Sequence, residues 1–466
     1  MKSLAALAGS AILALVALSA AAGAPAAKPF APHQEPRGIG NLIVPGDRVG
    51  LAYDAPGFNH TEGTVYVRND SQQRFTALRL RHLNGSSSAL ETRVPGRLLH
   101  GRKLLYYAVI RDPGSKRSAR VPARGTSSAL ILGHAIQIRL GKHRFGEPAP
   151  TGTVVGRASA DQVGWQIPPE GCGCGPSFGP ETFLVGRDGS VWLDDSLNNR
   201  LLGWNAGNPD AIVRSVPLPD RSADHDVALG PNGTFYVTGV QGRGASAHLV
   251  LNRLGRTGRV LWTGRLAGSP SDFSSFNLGD NSQLRTGPDG TLYLLAGMMG
   301  LPGGEWGWMP VATPSGHMIA PAAQRRGTSW PDQPVAGGMR LISEAYTAKA
   351  DGPVREMRYA LLDRRGRFVR SWRVMSKTDI NPDFATPALV GGKPAVVLDV
   401  SQAAAGKTEY LVLRLGPHGA SSRFTLPRTI FGDNLLADLR VGPGGRLYQL
   451  ATSPQTGVVI SRFSLG

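Results

Sequence analysis

The phrase "GPDGTLYLL" at 287–295 returns as "GPNGTFYV" at 230–237 and as "GPGGRLYQL" at 442–450. Each copy sets Asp-Gly, Asn-Gly or Gly-Gly, which supply the positive φ of a tight turn, directly before a β-forming, aromatic-bearing run. That is the chemistry of a β-hairpin. The turn glycines of this series are Gly189, Gly233, Gly290, Gly338, Gly392 and Gly445. A second series, Gly207, Gly258, Gly316, Gly366 and Gly419, marks a strand–turn–strand unit in each of the first five intervals. Two interleaved hairpins on one period of roughly fifty residues make a four-stranded unit in tandem, which predicts a β-propeller. Such a sheet cannot bury both of its faces alone, so its copies stack radially.

Six blades fit from about residue 181 to the end, and the last contains only three strands. Its outer strand is expected from "TGTVVGRAS" at 151–159, a pairing of first and last segments that removes exposed edges. An unclosed ring or one of seven blades is the alternative. The chain has 61 Gly and 35 Pro among 466 residues and few segments of helical periodicity, so the expected class is all-β.

Ahead of the repeats, Lys2, an apolar run from Leu4 to Leu18 and small residues at Ala20 and Ala22 read as a signal peptide spanning 1–22. The run is too short and Ala-rich to span the roughly 30 Å of a bilayer core well, and no later stretch reaches the roughly 18 apolar residues of a membrane helix. The expected location is therefore outside the cell. Residues 23–40, rich in Ala and Pro, read as a linker. Residues 41–147 do not share the period. "VGLAYD", "GTVYVRN", "FTALRLRHL", "ALETRVP", "KLLYYAVIRD", "ARVPA" and "ALILGHAIQIRL" are short candidate strands bounded by turn residues, which fits a small antiparallel β-sandwich.

The formal net charge is +18, carried mostly by Arg. These arginines are scattered, with no basic block interleaved with aromatics, so nucleic acid is not the expected partner. Adhesion to anionic cell-wall polymers is the reading that a basic surface supports.

Two stretches resemble known families. "LLYYAVIRDPGSKRS" in the first domain resembles the aromatic strand and Asp/Gly turn of Ig-like or fibronectin-like modules. "LVGRDGSVWLDDSLNNRLLGW" at 184–204 resembles the NHL repeat, with Asp194 or Asp195, Asn198 and Arg200 on its pattern. The related gluconolactonase-like propellers would imply a metal-dependent lactone hydrolase. Their full set of carboxylate and asparagine ligands is not matched here residue by residue.

Sites are expected on the loops that join one blade to the next, held by a rigid frame. Their shared content is Asp and Asn: Asp224 and Asp226 around His225, the "GDN" pairs Asp280-Asn281 and Asp433-Asn434, and Asp332, Asp379 and Asp383. Carboxylates and amides converging on a channel mouth suit a hard cation such as Ca²⁺, with Asp280 and Asp433 as its candidate ligands; the same residues also cap turns by bonding their own backbone. His225 is the candidate general base, because a flanking carboxylate fixes its tautomer. Trp306, Trp308 and Trp330 either form a platform for a sugar or peptide or plug the gap between blades. Cys172 and Cys174, the only cysteines, are expected as a local disulfide in an exported protein.

The chain thus reads as an exported binding or interaction scaffold with a ligand, whether protein, glycan or small molecule, on its loop face. The alternative is a metal-dependent hydrolase or lyase at the channel mouth.

Overall fold

The computed structural model describes residues 32–34, 42–58, 60–83, 88–167, 177–180, 182–219, 226–242, 248–266, 283–287, 290–296, 307–324, 328–329, 332–334, 339–346, 353–390, 393–431 and 438–464. Within them strands are the predominant element, arranged in eight sheets.

Two sheets belong to the first part of the chain. One orders His33–Gln34, Gly50–Asp54, Ala89–Arg93 and Arg81–His82; the other orders Leu42–Ile43, Ser127–Ile131, Lys103–Asp112, Glu62–Asn69 and Thr76–Arg79, with Arg117–Val121 also on Lys103–Asp112. Lys103–Asp112 alternates, burying Leu104, Tyr106, Ala108 and Ile110 on one face. That period of two marks a strand with one face on a core. These side chains share a single apolar cluster with Leu51, Tyr53 and Leu90 of the other sheet.

The remaining six sheets follow in chain order, each built on strands antiparallel to their sequence neighbours. The first is Phe183–Val185, Val191–Asp195, Arg200–Trp204 and Arg214–Pro217. The second is Val227–Leu229, Phe235–Gln241, His248–Leu254 and Val260–Arg265. The third runs from Gln283–Thr286 through Leu292–Ala296 and Gly307–Ala312 to Thr328–Ser329. The fourth holds Asp332–Pro334, Arg340–Tyr346, Glu356–Leu362 and Phe368–Ser376. The fifth holds Asp379–Val390, Lys393–Gln402, Lys407–Gly416 and Gly419–Pro427, and the sixth Leu439–Val441, Leu447–Ser453 and Gly457–Phe463.

Two strands from before the repeats join these sheets. Thr153–Ala158 pairs antiparallel with Gly457–Phe463 as the outer strand of the sixth sheet. Ile136–Gly141 pairs parallel with Phe368–Ser376 and becomes a fifth strand of the fourth sheet. The run "ALILGHAIQIRL" is therefore divided: Ser127–Ile131 stays with the first part of the chain and Ile136–Gly141 leaves it. The turn at Gly133 and His134 separates two strands whose apolar residues serve different cores.

Turn chemistry behaves as the repeat implies. The glycines of both series that fall among the described residues have positive φ, for example 82° at Gly189 and 85° at Gly290. Inner strands bear out the need for neighbours on both sides. Val191–Asp195 is buried at every position, and so is Glu356–Leu362. One apolar cluster joins the sixth sheet to the first, others join first to second, second to third, fourth to fifth and fifth to sixth. Indole N–H groups add polar ties. Trp204 donates to the Arg157 carbonyl at 3.0 Å, Trp262 of the second sheet to Gly316 of the third at 3.0 Å, and Trp372 of the fourth to Gly416 of the fifth at 2.9 Å.

The first part of the chain is locked onto the fourth sheet. Leu42, Val44, Leu130 and Leu132 bury against Ile342, Ala360 and Leu362. Beside them the Arg358 guanidinium, 2% exposed, bonds both Asp47 carboxylate oxygens, Glu356 and the Leu42 carbonyl, and stacks on the Tyr346 ring 3.8 Å from its centroid. Breaking one side of a buried pair strands the other charge. Arg358→Ala is expected to destabilise the protein by about 3–5 kcal/mol and to open the segment around 132–150 to protease. Urea unfolding and limited proteolysis read the two effects.

Candidate functional site: buried acids at the loop-bearing end

In each antiparallel unit the first strand starts, and the second strand ends, at the same end as the connection from the preceding sheet. Several buried charged groups collect there. The residue just ahead of the first strand is Thr182 in the first sheet, Asp226 in the second and Asp438 in the sixth. The same ladder bond follows each: Asp194 N to Thr182 O at 3.1 Å, Thr238 N to Asp226 O at 3.3 Å, Leu450 N to Asp438 O at 2.8 Å.

Asp226 is fully buried. Its Oδ1 accepts from Thr182 Oγ1 at 2.8 Å, its own neighbour Val227 N at 2.9 Å and Arg440 Nη2 at 2.7 Å, while Oδ2 accepts Leu284 N at 2.6 Å. Arg440 comes from the first strand of the sixth sheet. It also donates to Thr182 Oγ1 at 2.8 Å and to the Leu284 carbonyl at 3.2 Å. One guanidinium thus ties the sixth sheet to the first, second and third. Arg285, next along the third sheet's first strand, has its pKa lowered to about 10 by desolvation and then by repulsion from Arg440, with Asp226 opposing.

The residues on the NHL-like pattern form a closed unit. Asp195 Oδ1 accepts Gly164 N at 2.8 Å, and Oδ2 accepts Asn198 Nδ2 at 2.9 Å and Arg200 Nε at 2.8 Å. Asn199 takes a left-handed φ of 50° to finish the turn. Adjacent strand residues face opposite ways, so Asp194 leaves this unit and faces the second sheet. It is 1% exposed, and among the described residues neither of its carboxyl oxygens has a hydrogen-bond partner. Burial first, then Asp226 and Asp195, raise its pKa well above the ordinary carboxylate range. A buried carboxyl without a partner in that position leaves hydrogen-bonding capacity for another group.

A second acidic pair lies between the fifth and sixth sheets. Tyr410 Oη donates to Asp438 Oδ2 at 2.7 Å, and Arg428 Nη1 approaches Asp399 Oδ2 at 3.3 Å. Burial is the leading reason that Asp399 and Asp438 each rise to about 6.

Of the residues expected from sequence, Asp226 belongs to the first network. Asp379 lies in an exposed pair with Arg355 at 3.0 Å. Trp308 lies in the strand Gly307–Ala312, and Asp332 and Asp383 likewise lie in strands of the fourth and fifth sheets. Asp224, His225, Asp280, Asn281, Asp433, Asn434, Trp306, Trp330, Cys172 and Cys174 lie outside the described residues. Among the described residues, no three His, Cys, Asp or Glu side chains come together as a metal-binding group. Thr182, Arg285, Asp399, Tyr410, Arg428, Asp438 and Arg440 were not singled out from sequence. The signal for some was present: Thr182, Asp226 and Asp438 stand at one offset ahead of their turn glycines, and Arg285 and Arg440 share the next-but-one position.

No family model matches the chain, and no curated protein matches it. Solved structures similar to it include a Dos1 propeller, at 9% identity over 94% of this chain and 96% of that one with a TM-score of 0.31. An ancestral GH74 enzyme matches at 13% identity over 93% of this chain and 65% of its own, with a TM-score of 0.30. The polysaccharide lyase Uly1 matches at 7% identity over 79% and 89%, with a TM-score of 0.29. The arrangement is all-β and propeller-like, and likenesses at this level identify neither a family nor an activity. Among the described residues no helix is long and apolar enough to cross a membrane.

The acidic pair fixes a pH response. Each carboxyl titrates near 6 in the fold and near 3.9 when unfolded, so its protonation favours the fold below about pH 4 and that contribution is lost as pH rises through 6. Asp399→Asn is therefore expected to gain about 1–3 kcal/mol relative to the unsubstituted protein between pH 4 and pH 7. Denaturant unfolding at both pH values measures the difference; a gap that stays constant contradicts the assignment.

Proposed function

We propose that the protein is an exported binding scaffold, in which a small β-sandwich precedes a closed six-bladed propeller of NHL type, and that the loop-bearing end of the ring holds a ligand. The observation that carries this reading is Asp194. A carboxyl 1% exposed, with two unpartnered oxygens, costs free energy in an isolated protein. A ligand bearing hydroxyl or ammonium groups removes that cost. Asp226 and Arg440 hold the surrounding first strands in register, so the site is organised before a ligand arrives. The interblade loops complete it: Asp224, His225, Asn281 and Asn434 for polar contacts, Trp306, Trp308 and Trp330 for stacking, with the Cys172–Cys174 pair closing the entry loop. Six tandem sheets, with Thr153–Ala158 on the last and an apolar cluster between sixth and first, support ring closure.

The same carboxyl favours one second reading, a metal-dependent hydrolase of lactone-hydrolase type or a lyase. Asp194 beside Asp226 and Asp195 is an acidic neighbourhood that a divalent cation such as Ca²⁺ would stabilise. Asp280 and Asp433 would complete the ligand set from the loops, and His225 would serve as base.

Two measurements separate the readings. Elemental analysis of the purified protein is expected to find no stoichiometric divalent ion, and lactone substrates are expected to be left intact. Saturation-transfer NMR with a panel of neutral and amino sugars is expected to show binding that Asp194→Asn weakens by about tenfold or more without changing the melting temperature much. A bound ion lost in Asp280→Ala or Asp433→Ala, together with lactone turnover, would instead establish the hydrolase. Export carries its own check: the mature protein recovered from culture medium is expected to begin at Gly23.

A further inference from the structure

The outer edges of the fourth and fifth sheets, far from the first strands, frame a second site. Ile136–Gly141 is the outermost strand of the fourth sheet and Gly419–Pro427 the outermost of the fifth, and the two adjoin. Between them opens a cavity of about 440 Å³ lined by Leu140, Lys142, Arg144, Glu147, Arg423 and Phe424. That volume lies within the range of small-molecule sites, which runs from roughly 300 to 1,000 Å³.

Its charge is one-sided. Lys142, Arg144 and Arg423 are exposed, and none of the three has an ion pair or hydrogen-bond partner among the described residues. Several arginines of the repeats are engaged. Arg200, Arg358, Arg373, Arg428 and Arg440 all meet carboxylates. Three cations thus stand around one hollow against a single acid, Glu147.

The wall is also held in place. His143 is buried between Lys142 and Arg144, its backbone N–H bonded to Thr378 Oγ1 at 2.8 Å. Its Nε2 lies 2.8 Å from Glu409 Oε2, and Glu409 Oε1 accepts Gly146 N at 2.6 Å. Phe145 packs edge-on against the His143 ring at 4.6 Å. Anchoring His143 inward turns its two basic neighbours outward, so the charges are positioned before anything binds.

We propose that this rim cleft binds an acidic glycan, a chain of sugar rings bearing carboxylate or sulfate groups. The anionic groups pair with Lys142, Arg144 and Arg423, the two guanidinium forks matching such oxygens in bidentate fashion. Half-buried Phe424 and Leu140 meet the C–H face of a sugar ring, and Glu147 accepts hydrogen bonds from its hydroxyls. The site is independent of the axial one, and its outcome does not depend on the ligand held there.

The test is titration calorimetry of the full chain against sulfated heparin oligosaccharides, carboxylated oligogalacturonate and neutral dextran. Lys142→Ala/Arg144→Ala/Arg423→Ala is compared with a charge-matched control, Arg111→Ala/Arg259→Ala/Arg446→Ala, which removes exposed cations elsewhere. At least one acidic glycan is expected to bind, with the cleft variant losing about tenfold or more in affinity while the control stays within about twofold, and any dextran binding is expected to be the same in the cleft variant. Preference between heparin and oligogalacturonate assigns sulfate or carboxylate as the recognised group. Equal losses in both variants, dextran binding that the cleft variant weakens, no binding of either acidic glycan, or tighter binding of a single-stranded RNA oligonucleotide would each overturn the proposal. Asp194→Asn is expected to leave the affinity for acidic glycan unchanged.

Discussion

Everything after residue 182 rests on a sheet that has no face to spare for water. Inner strands such as Val191–Asp195 and Glu356–Leu362 are buried at every position, as a strand is when other layers cover both of its faces. A four-stranded sheet of this kind is stable only between two neighbours. The apolar clusters accordingly fall between sheets rather than within them. The indole N–H bonds of Trp262 and Trp372 to the turn carbonyl of the next sheet fix how far adjacent sheets slide. Packing alone would leave that sliding nearly free, because apolar contact has no direction.

Where the first strands converge, the same stacking leaves too little room for large apolar side chains, and polar groups fill the space. Arg440 reaches from the sixth sheet to Asp226 and Leu284 of the second and third. Its charge is balanced by Asp226, and Asp226 in turn satisfies the Thr182 hydroxyl and the Leu284 N–H of the first and third sheets as well as its own neighbour Val227 N–H. In this network both carboxylate oxygens of Asp226 are engaged. Asp194, one strand away, is outside it, and its isolation is what distinguishes a reserved position from a structural one. The fifth and sixth sheets repeat the theme with Asp399 and Asp438, but there Arg428 and Tyr410 supply partners.

The first part of the chain is joined to the repeats by more than a linker. Ile136–Gly141 extends the fourth sheet, and the buried Arg358 network fastens Asp47 and Leu42 to it. The same strand that fuses the two parts also forms one wall of the basic rim cleft. A single segment therefore connects the folding of the molecule to the surface on which the acidic-glycan proposal rests.

Sequence alone was enough for the period and the turns, because a tight turn needs glycine or asparagine at a fixed place and therefore leaves a mark in the chain. The tandem units and the pairing partner of the final three strands were legible for that reason. It was legible too that Asp and Asn gather between the units. The assignment of Ile136–Gly141 to the fourth sheet was not, since an alternating apolar strand carries no mark of which distant strand it will join. Nor could the chain show that Asp195 is consumed by Asn198 and Arg200 while its neighbour Asp194 stands without a partner. Hydrogen bonding and burial depend on groups distant in sequence, such as Arg440, 214 residues from Asp226, and Thr182, 44 residues from it. Local chemistry determined the repeating unit; only the closeness of remote strands decided which charges are spent on the fold and which are left for something else.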